Sequence, residues 1–358
     1  MTVTGPRVRD FTDSQPALEV EIVASSAAEL VTSLFALGSE ADPSIDAADA
    51  ERRGLWADGV RDGASDELRS LIDRYVTGSG WAWLALIGIA CESGPSVDGF
   101  LEALAAADPM EARRDLLCMM WCKGPVDREQ IDRVAAGDTE LLAEIDDGAS
   151  KPLPPNIRGL LELEPEATVA VMVDLLRRFD TEVFHGGRDV ASILERDAAA
   201  KRAMSGSMDA SALVEAATDG VTFSLQPNMR GIVLVPSVVI RPWVAITDHD
   251  GLRVFVYPVA EEHLEADPDA PPSHLVDVYK ALGDERRLRL LRLLVDGPTS
   301  LRDLTERLDL AKSTVHHHLR VLRKAGLVRV TIGDDNEYSM RTDAVSEAAR
   351  MLDSFLNG

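Results

Sequence analysis

The stretch Thr299–Val330, TSLRDLTERLDLAKSTVHHHLRVLRKAGLVRV, decides how this chain is read. Ser300 stands where a helix N-cap belongs, with Asp303 at the reciprocal capping position and Leu301, Leu304 and Leu308 at helical spacing. A tight turn at Asp309-Leu310 leads into a second periodic run, Ala311–Ala325, which Gly326 ends. At 100° per residue, Val315, Leu319 and Leu322 fall within about 60° of one another and make the face to be buried. Ser313, His317, Arg320 and Lys324 come out on the opposite side, with Lys312, His316 and Arg323 along one flank. Leu327–Ile332, Gly333–Asn336 and Glu337–Arg341 then read as strand, turn and strand. Helix, turn, helix and hairpin in this order predict a winged helix-turn-helix. An exposed helical face of donors and cations suits the major groove, where side chains must bond base edges and neutralise flanking phosphates.

Working outward, a helix from Ser273 breaks at Gly283, and Asp284 caps a second one with Leu288, Leu291 and Leu294 as its stripe, closed by Gly297-Pro298. On the far side, Asp343–Leu356 places Val345, Ala348, Leu352 and Leu356 at helical spacing after a Thr342 cap. Its apolar stripe suits its own domain or a second subunit. Ala311 occupies an N-cap position that a serine would strengthen by roughly 1 kcal/mol. Upstream, Glu261–Ser273 (EEHLEADPDAPPS) is too acidic and proline-rich to build a core and reads as a linker.

The remaining text is mostly helical. Leu18–Val23 alternates like a short strand, Ala27–Leu37 is helical, and Glu40–Asp49 reads as acidic loop. Helical patterns follow near Ser65–Val76, Trp81–Cys91, Ser96–Ala107, Met110–Cys122, Pro165–Phe184, Asp189–Met204 and Asp209–Ala217. The period changes at Val221–Leu225, Gly231–Ile240, Trp243–Asp248 and Leu252–Val259, with a hairpin turn at Asp248-His249-Asp250-Gly251. These runs predict an antiparallel meander over 221–260, with Pro236 and Pro242 limiting which strands can be central.

The fold class expected is therefore α+β and mainly α. It divides into a disordered tail (1–12), a helical N-terminal domain (13–220), the meander packed on it (221–260), the linker (261–273) and a self-contained winged helix-turn-helix with a terminal dimer helix (274–358).

Charge separates these parts. The chain carries −24, yet residues 274–342 hold 13 Lys+Arg against 10 Asp+Glu, leaving −27 for the rest. Lys312–Arg329 has five basic residues, no acid and three histidines. A basic face on an acidic body suits a protein that touches DNA at one end and repels it elsewhere. Met1–Asp10 lacks an apolar run, and Trp81–Cys91, at 11 residues, falls short of the ~20 needed to span a bilayer, so no membrane association is expected. Cys91, Cys118 and Cys122 make no disulfide framework, and a cytoplasmic, nucleoid-associated protein is the expectation.

KALGDERRLRLLRLLVDG (280–297) followed by the opening stretch resembles the ArsR-type winged helix-turn-helix regulators, over about Val276–Ala344. The resemblance implies a homodimeric regulator, most often a repressor, whose operator has two half-sites. More faintly, IVLVPSVV (232–239) and VFVYPVA (254–260) look like longer actinobacterial members with an N-terminal domain. Metal sensors of the family carry cysteine pairs in the third helix or histidines and carboxylates in the last. Here the third helix (Leu301–Glu306) has no cysteine, and Asp343, Glu347 and Asp353 form no obvious site, so no metal and no cofactor are expected. The wing tip, Asp334-Asp335-Asn336-Glu337, is acidic and is not expected on phosphate.

Double-stranded DNA is the expected partner, met by Ser300, Lys312, Ser313, Thr314, His316, His317, Arg320 and Lys324. His318 falls at the edge of the buried face and is assigned to packing, and three successive histidines point too far apart on a helix to share one ion. No phosphate loop, nucleophile elbow or HExxH motif suggests an enzyme. The N-terminal domain stays open between two readings: a sensor of an unidentified small-molecule effector, or a module for assembly with other proteins.

Overall fold

The computed structural model describes residues 18–39, 47–121, 126–148, 152–206, 208–224, 229–241, 243–260, 263–264, 273–332, 336–341 and 344–357. The expected tail 1–12, Cys122, Pro242, most of the linker, Asp334-Asp335 and the Thr342 cap lie outside these residues.

A four-stranded mixed sheet organises the N-terminal region in the order β1 (Glu19–Ile22), β3 (Gly231–Ser237), β5 (Leu252–Pro258), β4 (Ala245–His249), while β2 (Val221–Phe223) lies elsewhere. β1, β3 and β5 run parallel, and β4 returns antiparallel on β5 through a turn at Asp250-Gly251, where both residues have positive φ. The hairpin is as expected, but the meander over 221–260 is not. β3 is buried at every residue and β5 at its five central ones, unbroken burial that belongs to strands covered on both faces, with Arg253 in β5 paired to Asp248.

The alternation within these strands divides two cores. Val233, Val235, Val254 and Val256 point into a helical core with Leu30, Leu34, Trp83 and Leu116. Ile232, Leu234, Phe255 and Tyr257 point into a second core with Leu213, Leu290 and Leu319. Pro236 sits in central β3 without cost. Leu234 O accepts from Val23 N, so alternation puts the missing N–H of Pro236 on the β1 side, and β1 has ended at Ile22.

The helical core is built from short helices. The expected Pro165–Phe184 helix is α-helical over Pro165–Phe179, then widens to a π turn and stops at left-handed His185, Gly186 and Gly187. Ala47–Gly63 is helical where its first residues read as loop; its few large apolar residues, of which Val60 and Trp56 meet the helical core and Leu55 is exposed, give a weak periodic signal. Arg128–Ala135, Thr139–Gly148 and Pro155–Leu161 complete the layer. The fully buried Arg113 pins their ends by donating to the carbonyls of Leu161 (2.6 Å), Leu163 (2.5 Å) and Val134 (3.4 Å). Glu29, in the helix Ser26–Gly38, accepts from the N–H groups of Val238 (3.0 Å) and Val239 (3.1 Å) just beyond β3. Burial pushes its carboxyl up to about 7 against the pull of Ser237 and these N–H groups.

Among the described residues no single helix is long and apolar enough to cross a membrane; Gly80–Glu92 and Val97–Ala106 are bent by 107°. Cys91 is a free thiol.

The C-terminal unit has the expected order. Helices Ser273–Leu282 and Glu285–Leu294 precede β6 (Thr299–Ser300), helix Leu301–Leu308, helix Lys312–Lys324, β7 (Val328–Ile332), β8 (Glu337–Met340) and helix Ala344–Asn357. It is not closed on itself. Its sheet runs β2-β7-β8-β6, and β2, from the N-terminal region, lies parallel to β7. The expected boundary at 274 therefore has core and sheet crossing it.

Candidate nucleic-acid interface

Local chemistry fixes both helices of the reader. Ser300 accepts from Asp303 N at 3.1 Å and donates to the Asp303 carboxylate at 2.9 Å, so the cap is real, though Asp303 answers the Ser300 hydroxyl in place of its backbone. Asp309, at φ 52, makes the left-handed corner. The next helix starts at Ala311 with no side-chain cap. Val315, Leu319 and Leu322 are buried as the wheel requires, and Leu304 and Leu291 pack with them.

The outward residues sort into two groups. Lys312, Ser313 and His316, in the first turns, are exposed, and Thr314, His317 and Arg320 are half-buried. Lys312 to His317 stand together at one end of the helix, and Arg320 lies past its midpoint. Lys324 departs from its expected place: it is half-buried, its ammonium 3.6 Å from the Asp277 carboxylate on helix Ser273–Leu282. That helix crosses the far end of the reader, so the wheel's outer face is not solvent-facing along its whole length. Arg323 turns inward as well and donates to the Thr218 carbonyl at 3.1 Å; burial holds its guanidinium below the usual arginine range, with Asp219 opposing. Ser300 opens onto a groove of about 590 Å³ that Asp303, Glu306, Glu337 and Arg307 also line, three carboxylates against one guanidinium and so a net acidic setting for a phosphate.

His318 is 6% exposed, and neither ring nitrogen has a hydrogen-bond partner among the described residues. Burial holds its pKa below the usual histidine range; the Asp284 carboxylate opposes this, and His317, Arg287 and Arg286 add to it. Its assignment to packing agrees with this burial. Asp284 itself caps Glu285–Leu294 by accepting from Arg286 N (2.8 Å) and Arg287 N (3.1 Å). Burial pushes its carboxyl up, but the Arg287 N–H and guanidinium outweigh that, and the net direction is down.

Helices Ser273–Leu282 and Ala344–Asn357 pack together, yet Tyr279 (42%), Val345 (41%) and Phe355 (44%) stay exposed on them. Sequence reasoning missed Glu215, Thr218 and Gly220, the residues that grip the reader from the N-terminal side. Their local signal is a helix end with an Asp219-Gly220 turn, which says nothing of a partner 100 residues away.

The family model for the bacterial regulatory proteins of the arsR family matches residues 284–330. The HTH-type transcriptional regulator MJ1325 of Methanocaldococcus jannaschii is 34% identical over 79 residues, 22% of this chain and 89% of that protein. The transcriptional repressor SdpR of Bacillus subtilis is 28% identical over 82 residues, 23% of this chain and 91% of SdpR. The transcriptional activator HlyU of Vibrio cholerae is 43% identical over 53 residues, 15% of this chain and 49% of HlyU. All three likenesses fall on under a quarter of the chain, while the first spans nearly the whole of its relative. By its C-terminal helix-turn-helix, this chain belongs to the arsR family of transcription regulators.

Proposed function

We propose that the protein is a homodimeric repressor that reads the major groove of double-stranded DNA with the N-terminal half of helix Lys312–Lys324. One observation carries this reading: Lys312, Ser313 and His316 stand exposed on the first turns of a helix seated by Val315, Leu319 and Leu322. Thr314, His317 and Arg320 complete the reading surface, Arg320 suiting guanine. Ser300 approaches the backbone through its hydroxyl alone, since its surroundings are acidic. Lys324 contributes through the field more than by direct contact.

The dimer forms through the exposed Tyr279, Val345 and Phe355 face, which presents two readers to two half-sites about one helical turn of DNA apart. The N-terminal region supplies the regulatory input.

The test is to select a duplex from a random-sequence library with the full chain, then titrate it under native mass spectrometry. Two chains per palindromic duplex, and repression of a reporter bearing that duplex across its promoter, are expected. One chain per duplex, or activation of the reporter, overturns the corresponding part. The same spectra report any small molecule the protein retains.

A further inference from the structure

The wing sheet contains a strand that the winged unit does not supply. β2 lies along β7 with Val221 opposite Val330 and Phe223 opposite Ile332. Val330 N donates to Gly220 O at 2.9 Å, Ser224 N donates to Ile332 O at 3.2 Å, and the Thr222 and Thr331 hydroxyls meet at 2.9 Å. The preceding helix, Ala210–Ala217, sends Leu213, Val214 and Ala217 into the core that seats the reader. Its Glu215 carboxylate bonds the Arg329 guanidinium on β7 and lies 3.4 Å from that of Arg341, just after β8. Thr218 O holds Arg323 at the end of the reading helix. Gly220, at φ +92, lets the backbones close up: a Cβ there would stand 2.8 Å from Val328 O.

We propose that residues 210–224 are the positioning element of the DNA reader. Glu215, Thr218 and Gly220 set the angle between the reading helix and the wing, so operator affinity depends on β2 being seated. This rests on the DNA-binding reading above. Arg323 is anchored 11 positions from Lys312, about 17 Å along the helix axis, so a small tilt at the anchor moves the reading end by a larger amount. The element is also the path inward. β3, the strand that divides the two cores, begins at Gly231, seven residues after Ser224, so rearrangement of the helical body reaches the reader through β2. Linkage makes the coupling reciprocal: if seating favours DNA, DNA favours seating by the same factor.

The experiment uses the full chain and the duplex it selects. Amide exchange of Ser224 and Val330 is expected to slow about fivefold at saturating operator and to be unchanged by scrambled duplex, although the DNA sits at Lys312–His316. Thr222→Pro removes an N–H that alternation points toward β7; it should weaken operator binding about tenfold, while Thr222→Val, which keeps the ladder and loses only the hydroxyl bonds to Val330 O and Thr331, should weaken it by about twofold. A merely structural role would lower the melting temperature of Thr222→Pro and slow exchange at Ser224 and Val330 by no more than operator slows the other buried amides of the shared core, which gain protection by mass action. Exchange at Ser224 and Val330 that operator does not slow beyond that of those amides overturns the proposal, whether or not Thr222→Pro folds. A library that yields no enriched duplex overturns the DNA-binding reading itself.

Discussion

The two ends of helix Lys312–Lys324 carry the same kind of residue and live in opposite surroundings. At its start Lys312, Ser313 and His316 face solvent; at its end Arg323 is bonded to the Thr218 carbonyl and Lys324 is paired with Asp277. A cation on the polar arc of an amphipathic helix is therefore a DNA contact only where no neighbouring element crosses that arc. Here helix Ser273–Leu282 and the turn after Ala217 cross it at one end alone. The consequence is a reader held by its tail, with its working end free.

Severing the hold should have the largest effect. A fragment beginning at Pro271 loses β2 and the buried side chains of Leu213, Val214, Ala217 and Val221, as well as those of the dividing sheet. Removing apolar cover on that scale costs on the order of 5 kcal/mol or more, as much as a small domain's whole stability. The sequence suggests a self-contained unit; the shared core says that the fragment will melt without a cooperative transition by circular dichroism. A sharp two-state melt together with operator binding would show that the two ends are independent.

That contrast also marks what could be read without coordinates. The winged unit is local: its caps, its Leu stripe and the Gly326 stop lie within a few residues of what they specify, so Asp284, Ser300 and the Val315 face were legible. Asp277 near Lys324 and Thr218 near Arg323 are pairings across 47 and 105 residues, and no periodicity encodes them. The same holds for the dividing sheet. Val- and Ile-rich runs announced β3, β4 and β5, and the Asp250-Gly251 turn announced one hairpin. That β1 would lie beside β3, and that β2 would leave for the wing, depended on packing between distant segments.

The two cores should respond to pH with opposite signs. Glu29 in the helical body has its carboxyl raised from 4.5 to about 7, so between those values the folded state binds more protons than the unfolded one. Stability of the body therefore falls as pH rises through that window, by about 3 kcal/mol when complete. His318 beside the reader has its pKa held down, so the unfolded state is the better proton acceptor and stability is lost as pH falls below the ordinary histidine value of 6.5. Glu29→Gln should flatten the loss toward pH 8 and His318→Leu the loss toward pH 5, each followed by urea unfolding with probes in the separate cores. If the probes of both cores report both limbs, and each variant removes its own limb from both, the cores unfold as a single unit.

Side-chain deletions sharpen the comparison within the helix. Arg320→Ala should lower the discrimination between operator and scrambled duplex by about 1–3 kcal/mol, the scale of a lost base contact. Lys324→Ala should change binding by less than about 1 kcal/mol, because its charge is already answered by Asp277. Titrations at several salt concentrations check both. A larger loss of discrimination from Lys324→Ala would mean that the helix enters the groove by its other end.

The smallest expected effect lies at the free end and concerns the helix itself. Ala311 has the extended backbone of an N-cap (φ −61°, ψ 142°), and its carbonyl already accepts from Thr314 N at 2.9 Å and Val315 N at 3.1 Å. It has no side-chain oxygen to take one of the first-turn N–H groups, which Ser300 supplies for the helix before it and Asp284 for the one before that. Ala311 is exposed, so a hydroxyl meets no steric resistance. Ala311→Ser should thus stabilise the helix by about 1 kcal/mol, raising the melting temperature by about 2 °C, with the change confined to the transition that reports the winged unit. Because the anchored end already fixes the helix axis, operator affinity should move by no more than about twofold. A gain in stability with a tenfold change in affinity would instead show that the first turn frays in the free protein and orders on DNA, so that the hold at Thr218 does not extend to the reading end.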